Sequence, residues 1–291
     1  MESPIVTALT RPLAPLTLAA TVTFAAACSR PPPPTAPLLG ETDIVVGTQL
    51  PLESKILGET RALSVYLPLG YAQRDEQFPV LYLIDGGVEQ DFLPVAGFAA
   101  LATLSGQYRE FIVVGIQTNE RSYELTTPSE HRYDVKLIPH NGGADAFRSF
   151  ITQEVQPLIN ERYRTSGEDT VLGESLAGLF IVDTFLRAPE SFDNYIAVSP
   201  SLWWREAALA LSAAEQLQAA GFPADRSLYL SAADEVDIGE SLRPLIAALD
   251  AHAPDDLTWW FEPMPDEHHH TIYHPATLRA LRLIFAGETP S

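Results

Sequence analysis

Short apolar runs alternate with longer amphipathic segments along most of the chain. Val80-Leu81-Tyr82-Leu83-Ile84 and Phe111-Ile112-Val113-Val114-Gly115-Ile116 are apolar almost without interruption, as strands buried on both faces must be. Residues 61–68 alternate instead, the pattern of a half-buried edge strand. Residues 44–46 and 54–57 read as opening strands, and 170–172, 195–198, 228–230 and 258–261 as later ones. Between these runs the period changes. Over 145–163, Phe147, Phe150, Ile151, Val155, Leu158 and Ile159 fall on one side of a helix, whose start Asp145 favours through the helix dipole. Further helices are expected after residue 175 up to 187, in the alanine-rich stretch before 228, and over 241–252 and 275–285. Strands alternating with helices predict an α/β fold, a mostly parallel central sheet with helices on both faces. In such sheets functional groups gather at the carboxyl ends of the strands.

Composition narrows this to one large domain over residues 41–291. Of 291 residues 46% are hydrophobic, and 38 acidic side chains against 18 basic ones give a formal charge of −20. That surface repels phosphate backbones, so no nucleic-acid partner is expected. The first 28 residues have a different character. Arg11 precedes an apolar stretch over 13–27 that is too short to span a bilayer, and Ala25-Ala26-Ala27-Cys28 follows. That order is a secretion signal, and it resembles the bacterial lipoprotein type, in which Cys28 would be lipidated and begin the mature chain. Ala25 stands where that type usually has leucine. Residues 29–40 form a proline-rich linker, stiff over Pro31-Pro32-Pro33-Pro34. The expected location is therefore export, either periplasmic or lipid-anchored to a cell-envelope membrane, and any membrane contact would run through Cys28. As the sole cysteine, Cys28 allows no disulfide within one chain. Oligomeric state is not legible.

The chemistry begins where the run Thr170-Val171-Leu172 meets Gly173-Glu174-Ser175-Leu176-Ala177-Gly178. A short strand ending in a serine flanked by small residues, then an apolar helix, describes a nucleophile elbow. The turn crowds the backbone, so Gly173 and Ala177 sit where bulk is not tolerated. At the new helix N-terminus the Leu176 N–H is free to stabilise an oxyanion. Because a serine hydroxyl is a weak nucleophile, it needs a histidine base, usually oriented by a carboxylate. His252 falls near a helix end. His268, His269 and His270 lie between the last strand and last helix, and adjacency alone does not separate them. Asp234, Glu235 and Asp237 follow the strand at 228–230, with Glu235 preferred and Asp234 next. The histidine cluster with Glu267 does not suit a metal, since adjacent side chains diverge and no helical His-x-x-x-His is present. No cofactor is expected.

Further segments carry a resemblance. They are residues 61–71, Pro79 through Gly86, Gly115-Ile116 with Arg121 and Pro128, Gly142-Gly143-Ala144-Asp145, the elbow with Gly178-Leu179-Phe180, and Ser199-Pro200-Ser201-Leu202-Trp203-Trp204. Over about residues 55–286 the chain resembles the esterase D-like family of the α/β-hydrolase superfamily, nearest its bacterial branch, which includes periplasmic siderophore esterases. The resemblance implies a serine esterase acting on a small-molecule ester, with Ser175 as nucleophile and His269, preceded by Glu267 and followed by Thr271, as base. It also implies oxyanion donors near Gly86 and Gly87. Some siderophore-esterase relatives manage with a Ser–His pair. Similar elbows usually read Gly-His-Ser-x-Gly-Gly, whereas Glu174 and Ala177 stand here. Trp203, Trp204 and Tyr123 could line an aromatic pocket or pack the core, and Arg121 could grip a substrate carboxylate or pair with Glu120 or Glu124. Competing readings keep the fold: acyl transfer to a sugar or glycerol, or a non-catalytic, lipid-tethered binding protein.

Overall fold

A computed structural model describes residues 40, 42–219, 221–223 and 225–287. The leader, Cys28 and the linker up to residue 39 lie outside the described residues. The strands are β1 (Thr48–Ser54), β2 (Glu59–Tyr66), β3 (Phe78–Ile84), β4 (Ile112–Ile116), β5 (Thr165–Glu174), β6 (Asn194–Val198), β7 (Ser227–Ala233) and β8 (Thr258–Met264). They form one eight-stranded sheet in the order β1-β2-β4-β3-β5-β6-β7-β8. The pairings of β1 with β2 and of β2 with β4 are antiparallel; the pairings from β4 through β8 are parallel. The helices are α1 (Phe92–Ser105), α2 (Arg121–Glu124), α3 (Arg132–Leu137), α4 (Ala144–Phe150), α5 (Gln156–Arg162), α6 (Leu176–Arg187), α7 (Trp204–Leu217), α8 (Val236–His252) and α9 (Tyr273–Ile284).

Alternate residues of each central strand serve two separate cores. Val80, Tyr82 and Ile84 of β3 pack with α4 to α8 on one face. Leu81 and Leu83 pack with α1 and α9 on the other. Every position of β3 and β4 is buried, which is why both strands read as unbroken apolar runs. The expected α/β architecture, mostly parallel and covered on both faces, is present. Among the described residues no helix is long and apolar enough to cross a membrane.

Some elements fall elsewhere than expected. The first strand is Thr48–Ser54 rather than 44–46, and the run at 54–57 makes the turn after it. Pro51 hides this strand in the sequence; a missing N–H is tolerated there because β1 is an edge strand with one partner. Its turn is held from outside. Glu154 accepts hydrogen bonds from Ser54 Oγ, Lys55 N and Ile56 N. Glu154 itself sits in a π-helical turn, Ile151–Val155, which splits the expected helix over 145–163 into α4 and α5. Helix α8 starts at Val236 rather than 241 and carries Pro244 inside it. Helix α1 shows no polar face to betray it, and reads FLPVAGFAALATLS.

One buried charge ties β2 to the loop after β4. The Arg61 side chain is 1% exposed and pairs with Glu124 at 2.7 Å, while its outer contact is Glu59. Phe150 and Phe147 flank the guanidinium, with ring centroids 5.6 and 5.7 Å away. The Glu124 carboxylate also accepts from Asn119 N and Glu120 N, so the pair fixes the backbone that leads into α2. Removing one partner of a buried pair strands the other charge. Glu124→Ala should cost about 3 kcal/mol in denaturant unfolding, whereas Glu59→Ala, on an exposed partner, should cost less than about 1 kcal/mol. Equal costs would mean that Glu124 is not what balances the buried guanidinium.

Candidate active site

At the end of β5 the chain reverses into α6 through Ser175, whose φ of 61° and ψ of −116° lie in a region non-glycine residues avoid. Neighbouring residues make this turn possible. A Cβ on Gly173 would stand 2.5 Å from the Ala177 methyl, so the absence of one admits the other, and alanine is accommodated where similar elbows have glycine. A Cβ on Gly178 would approach Pro200 Cα at 3.0 Å, so α6 lies close against the turn after β6. The Ser175 N–H donates to Val198 O, while its carbonyl accepts from Leu179 N and Ser201 N.

The ends of β5, β6, β7 and β8 converge on this point. His269, in the loop between β8 and α9, presents Nε2 to Ser175 Oγ at 3.1 Å. Its Nδ1 lies 3.0 Å from Glu235 Oε2, just past β7. With Glu235 accepting at Nδ1, the neutral ring carries its proton there and offers a lone pair to the serine hydroxyl. Of the three adjacent histidines, His269 is the one turned to Ser175. The loop is shaped by Thr271, whose Oγ1 accepts from His268 N and whose N–H donates to His268 O. Asp234 is not the partner of His269. Its side chain is exposed, and its N–H donates to Glu267 O at 3.0 Å, binding the acid-bearing loop to the histidine loop.

A cleft of about 440 Å³ opens over Ser175, lined also by Ser201, Trp203, Glu235, Asp237 and His269. It adjoins a second cleft of about 590 Å³ that shares Trp203 and Asp237 and adds Tyr133, Glu206 and Glu240. Trp203 therefore faces the cleft. Trp204 does not: it is buried and its Nε1 donates to Thr127 O at 3.0 Å, a core position. Tyr123 also lies outside the cleft lining, its ring stacked on His140 with centroids 4.1 Å apart. Arg121 is engaged by Asp85 at 2.7 Å and reaches Glu174 O at 3.4 Å. It pairs with neither Glu120 nor Glu124, and it braces the elbow instead of standing free for a ligand.

The expected oxyanion loop is more occupied than the sequence suggests. Gly86 N–H donates to Ile116 O inside the sheet, and Gly87 N–H donates to the Gln90 side-chain oxygen at 3.0 Å. Gly86 and Gly115 approach so closely that a Cβ on either would collide with the other's backbone. Gln90 is in turn held by Thr118, which donates to Asp85. Leu176 N occupies the first position of α6, where a helix supplies no acceptor. Sequence reasoning assigned no role to Ser201, whose Oγ lies 3.2 Å from Ser175 Oγ; nothing in a Ser-Pro-Ser turn announces which serine faces a nucleophile.

The family model described as "Putative esterase" matches residues 54–235. The ferri-bacillibactin esterase BesA of Bacillus subtilis is 32% identical over 145 residues, 44% of this chain and 50% of that protein. The siderophore triacetylfusarinine C esterase of Aspergillus fumigatus is 29% identical over 163 residues, 50% of this chain and 53% of that one. The chain thus spans about half the length of the curated relatives it matches. Among solved structures, an IroE-like serine hydrolase from Shewanella oneidensis superposes with a TM-score of 0.73 at 26% identity, covering 82% of this chain and 80% of that one.

Behind the elbow the charges are unbalanced. Burial, then the nearby Asp91 carboxylate, pushes the Glu174 carboxyl up to about 7 despite Arg121. Burial likewise pushes Asp91 to about 6. In the unfolded chain Glu174 loses its proton near 4.5; the folded chain keeps it longer. Between those values the folded state binds more protons, so its stability falls as pH rises towards about 7. Glu174→Gln should flatten the decline of Tm between about pH 5 and pH 8. An unchanged slope, read by calorimetry, would remove Glu174 as its source.

Proposed function

The chain belongs to the esterase family, and from that membership we propose that it hydrolyses carboxylic esters through an acyl-enzyme on Ser175. The observation that carries the reading is the pair of contacts on one imidazole, Ser175 Oγ at Nε2 and Glu235 Oε2 at Nδ1. His269 Nε2 takes the hydroxyl proton as Oγ attacks the ester carbonyl. Glu235 holds the ring's tautomer and stabilises the imidazolium. The oxyanion gathers at Leu176 N–H. Gly87 N–H is a second donor once the Gln90 carboxamide yields it, and one such donor is worth about a hundredfold in rate or more. The alcohol leaves with the proton from His269, and a water activated by the same nitrogen then releases the acid.

Siderophore esters are the first substrates to assay, because relatives bear those names. The clefts add a preference within that class. Asp237, Glu206 and Glu240 border them without an arginine or lysine among the lining residues, so an anionic ligand meets like charge. The leader read in residues 1–28 supports a reaction outside the cytoplasm, on a domain that is either periplasmic or tethered to a membrane through Cys28.

On p-nitrophenyl acetate, Ser175→Ala should lower turnover by about 10³-fold or more, and Glu235→Ala by about 10- to 1000-fold. Asp234→Ala should stay within about twofold, since it is the Asp234 backbone N–H that bonds Glu267 O. Turnover surviving in Ser175→Ala would end the acyl-enzyme reading. With esters of ferric complexes, a neutral hydroxamate should be cleaved faster than a triply anionic catecholate, and the gap should narrow as salt is raised. The opposite order of kcat/KM would discount the cleft carboxylates.

A further inference from the structure

The turn after β6 brings a second hydroxyl to the nucleophile. Ser201 Oγ lies 3.2 Å from Ser175 Oγ, Ser201 is 3% exposed, and its N–H donates to the Ser175 carbonyl at 3.0 Å. We propose that Ser201 is a positioning residue that donates its hydroxyl proton's hydrogen bond to Ser175 Oγ, an inference that rests on the serine-esterase reading of the same site.

Its placement is over-determined. Ser199 takes a left-handed φ of 43° and donates from its N–H to Ser231 O at 2.9 Å. Pro200 then seats against α6 at Gly178, where only the absence of a side chain permits the approach. Ser201 is delivered to the elbow by two fixed contacts, one to its own backbone and one through Pro200. The backbone bond to Ser175 O and the hydroxyl contact to Ser175 Oγ address the same residue, so Ser201 follows the nucleophile's carbonyl and its side chain together.

Proton bookkeeping sets the direction of the hydroxyl contact. Ser175 Oγ has one proton. Glu235 at Nδ1 keeps the His269 lone pair on Nε2, 3.1 Å from Ser175 Oγ, and the serine proton points there. The remaining contact at Ser175 Oγ must therefore be received, with Ser201 as donor. During attack the proton passes from Ser175 Oγ to His269 Nε2 while the Oγ–carbon bond forms and charge moves onto the substrate oxygen. As Oγ loses its proton its negative character grows, and a hydrogen bond to it strengthens. In the second half-reaction the Oγ–carbon bond breaks, Oγ leaves and takes the proton back from His269. The same donor serves both steps, and no proton is transferred to or from Ser201. The bond also favours the position in which Ser175 Oγ meets His269 Nε2.

The test compares Ser201→Ala, Ser201→Thr and Ser175→Ala with the parent in the full chain. The readouts are kcat and KM on p-nitrophenyl acetate, the second-order rate of phosphonylation by a fluorophosphonate across pH, and Tm. Ser201→Ala should slow both kcat and phosphonylation by about tenfold to a hundredfold, with KM within about twofold and the pH midpoint of phosphonylation unmoved. Ser201→Thr, which restores a hydroxyl, should recover most of the loss. The proposal is overturned if Ser201→Ala reacts as fast as the parent or faster, because Ser201 would then be a bystander or a competing acceptor. It is also overturned if alanine and threonine are equally slow at parental Tm, or if the loss appears in KM. Should Ser175→Ala keep the parent's turnover, the esterase reading fails first, and the phosphonylation series shows that separately.

Discussion

Everything at the site depends on the backbone of Ser175 being held where a non-glycine residue is strained. A conformation of that kind costs on the order of 1–3 kcal/mol and persists only where its surroundings leave no alternative. Here the surroundings are specific. Val198 O receives the Ser175 N–H, Leu179 and Ser201 donate to its carbonyl, and Gly173 and Gly178 are bare where Ala177 and Pro200 press in. The hydroxyl consequently stands clear of both β5 and α6. His269 and Glu235 reach it from loops that follow β8 and β7, two strands that pair in parallel on the same side of β5. A parallel sheet sends all these loops to one edge, so the strain at Ser175 and the topology of the sheet serve a single geometry.

A second set of contacts braces the opposite side. Arg61, buried between two phenylalanines, fixes Glu124, and Glu124 fixes the backbone at Asn119 and Glu120. The next residue, Arg121, then reaches both Asp85 and the carbonyl of Glu174. From Asp85 the hydrogen bonds continue through Thr118 to Gln90 and end on Gly87 N–H. The elbow and the loop that would complete an oxyanion site are thereby linked through side chains from β2, from the loops after β3 and β4, and from α2. Around Arg121 stand Asp85, Asp91 and Glu174, and one guanidinium does not neutralise three carboxylates. Two of them, Asp91 and Glu174, hold their protons to higher pH.

The central strands and the elbow were legible in the sequence because burial on both faces and a Gly-x-Ser-x-Ala turn each leave a local signature. Other features have no local signature. Pro51 disguises an edge strand, and α1 is apolar all round, so neither period appears. Adjacent residues are harder still. His268, His269 and His270 differ only in where a loop shaped by Thr271 aims them. Trp203 and Trp204 part ways beside a left-handed turn over Arg205, Glu206 and Ala207, one facing the cleft and the other reaching the carbonyl of Thr127. Asp234 and Glu235 divide their labour between backbone and side chain. Arg121 finds Asp85, 36 positions earlier, through a convergence of loops that no spacing rule encodes. What the sequence withheld was orientation, which is set by contacts between distant segments.

The two outermost strands have a consequence for the molecule's behaviour in company. Besides Pro51 in β1, the far edge strand β8 holds Pro263. An open sheet edge is a template on which a neighbouring copy can lay down a further strand, provided it finds an uninterrupted row of donors and acceptors. Each border of this sheet has a position with no donor to offer. Among the described residues each edge of the sheet thus carries a proline, and the residue that makes β1 hard to recognise also discourages a neighbouring copy from pairing there when the protein is crowded.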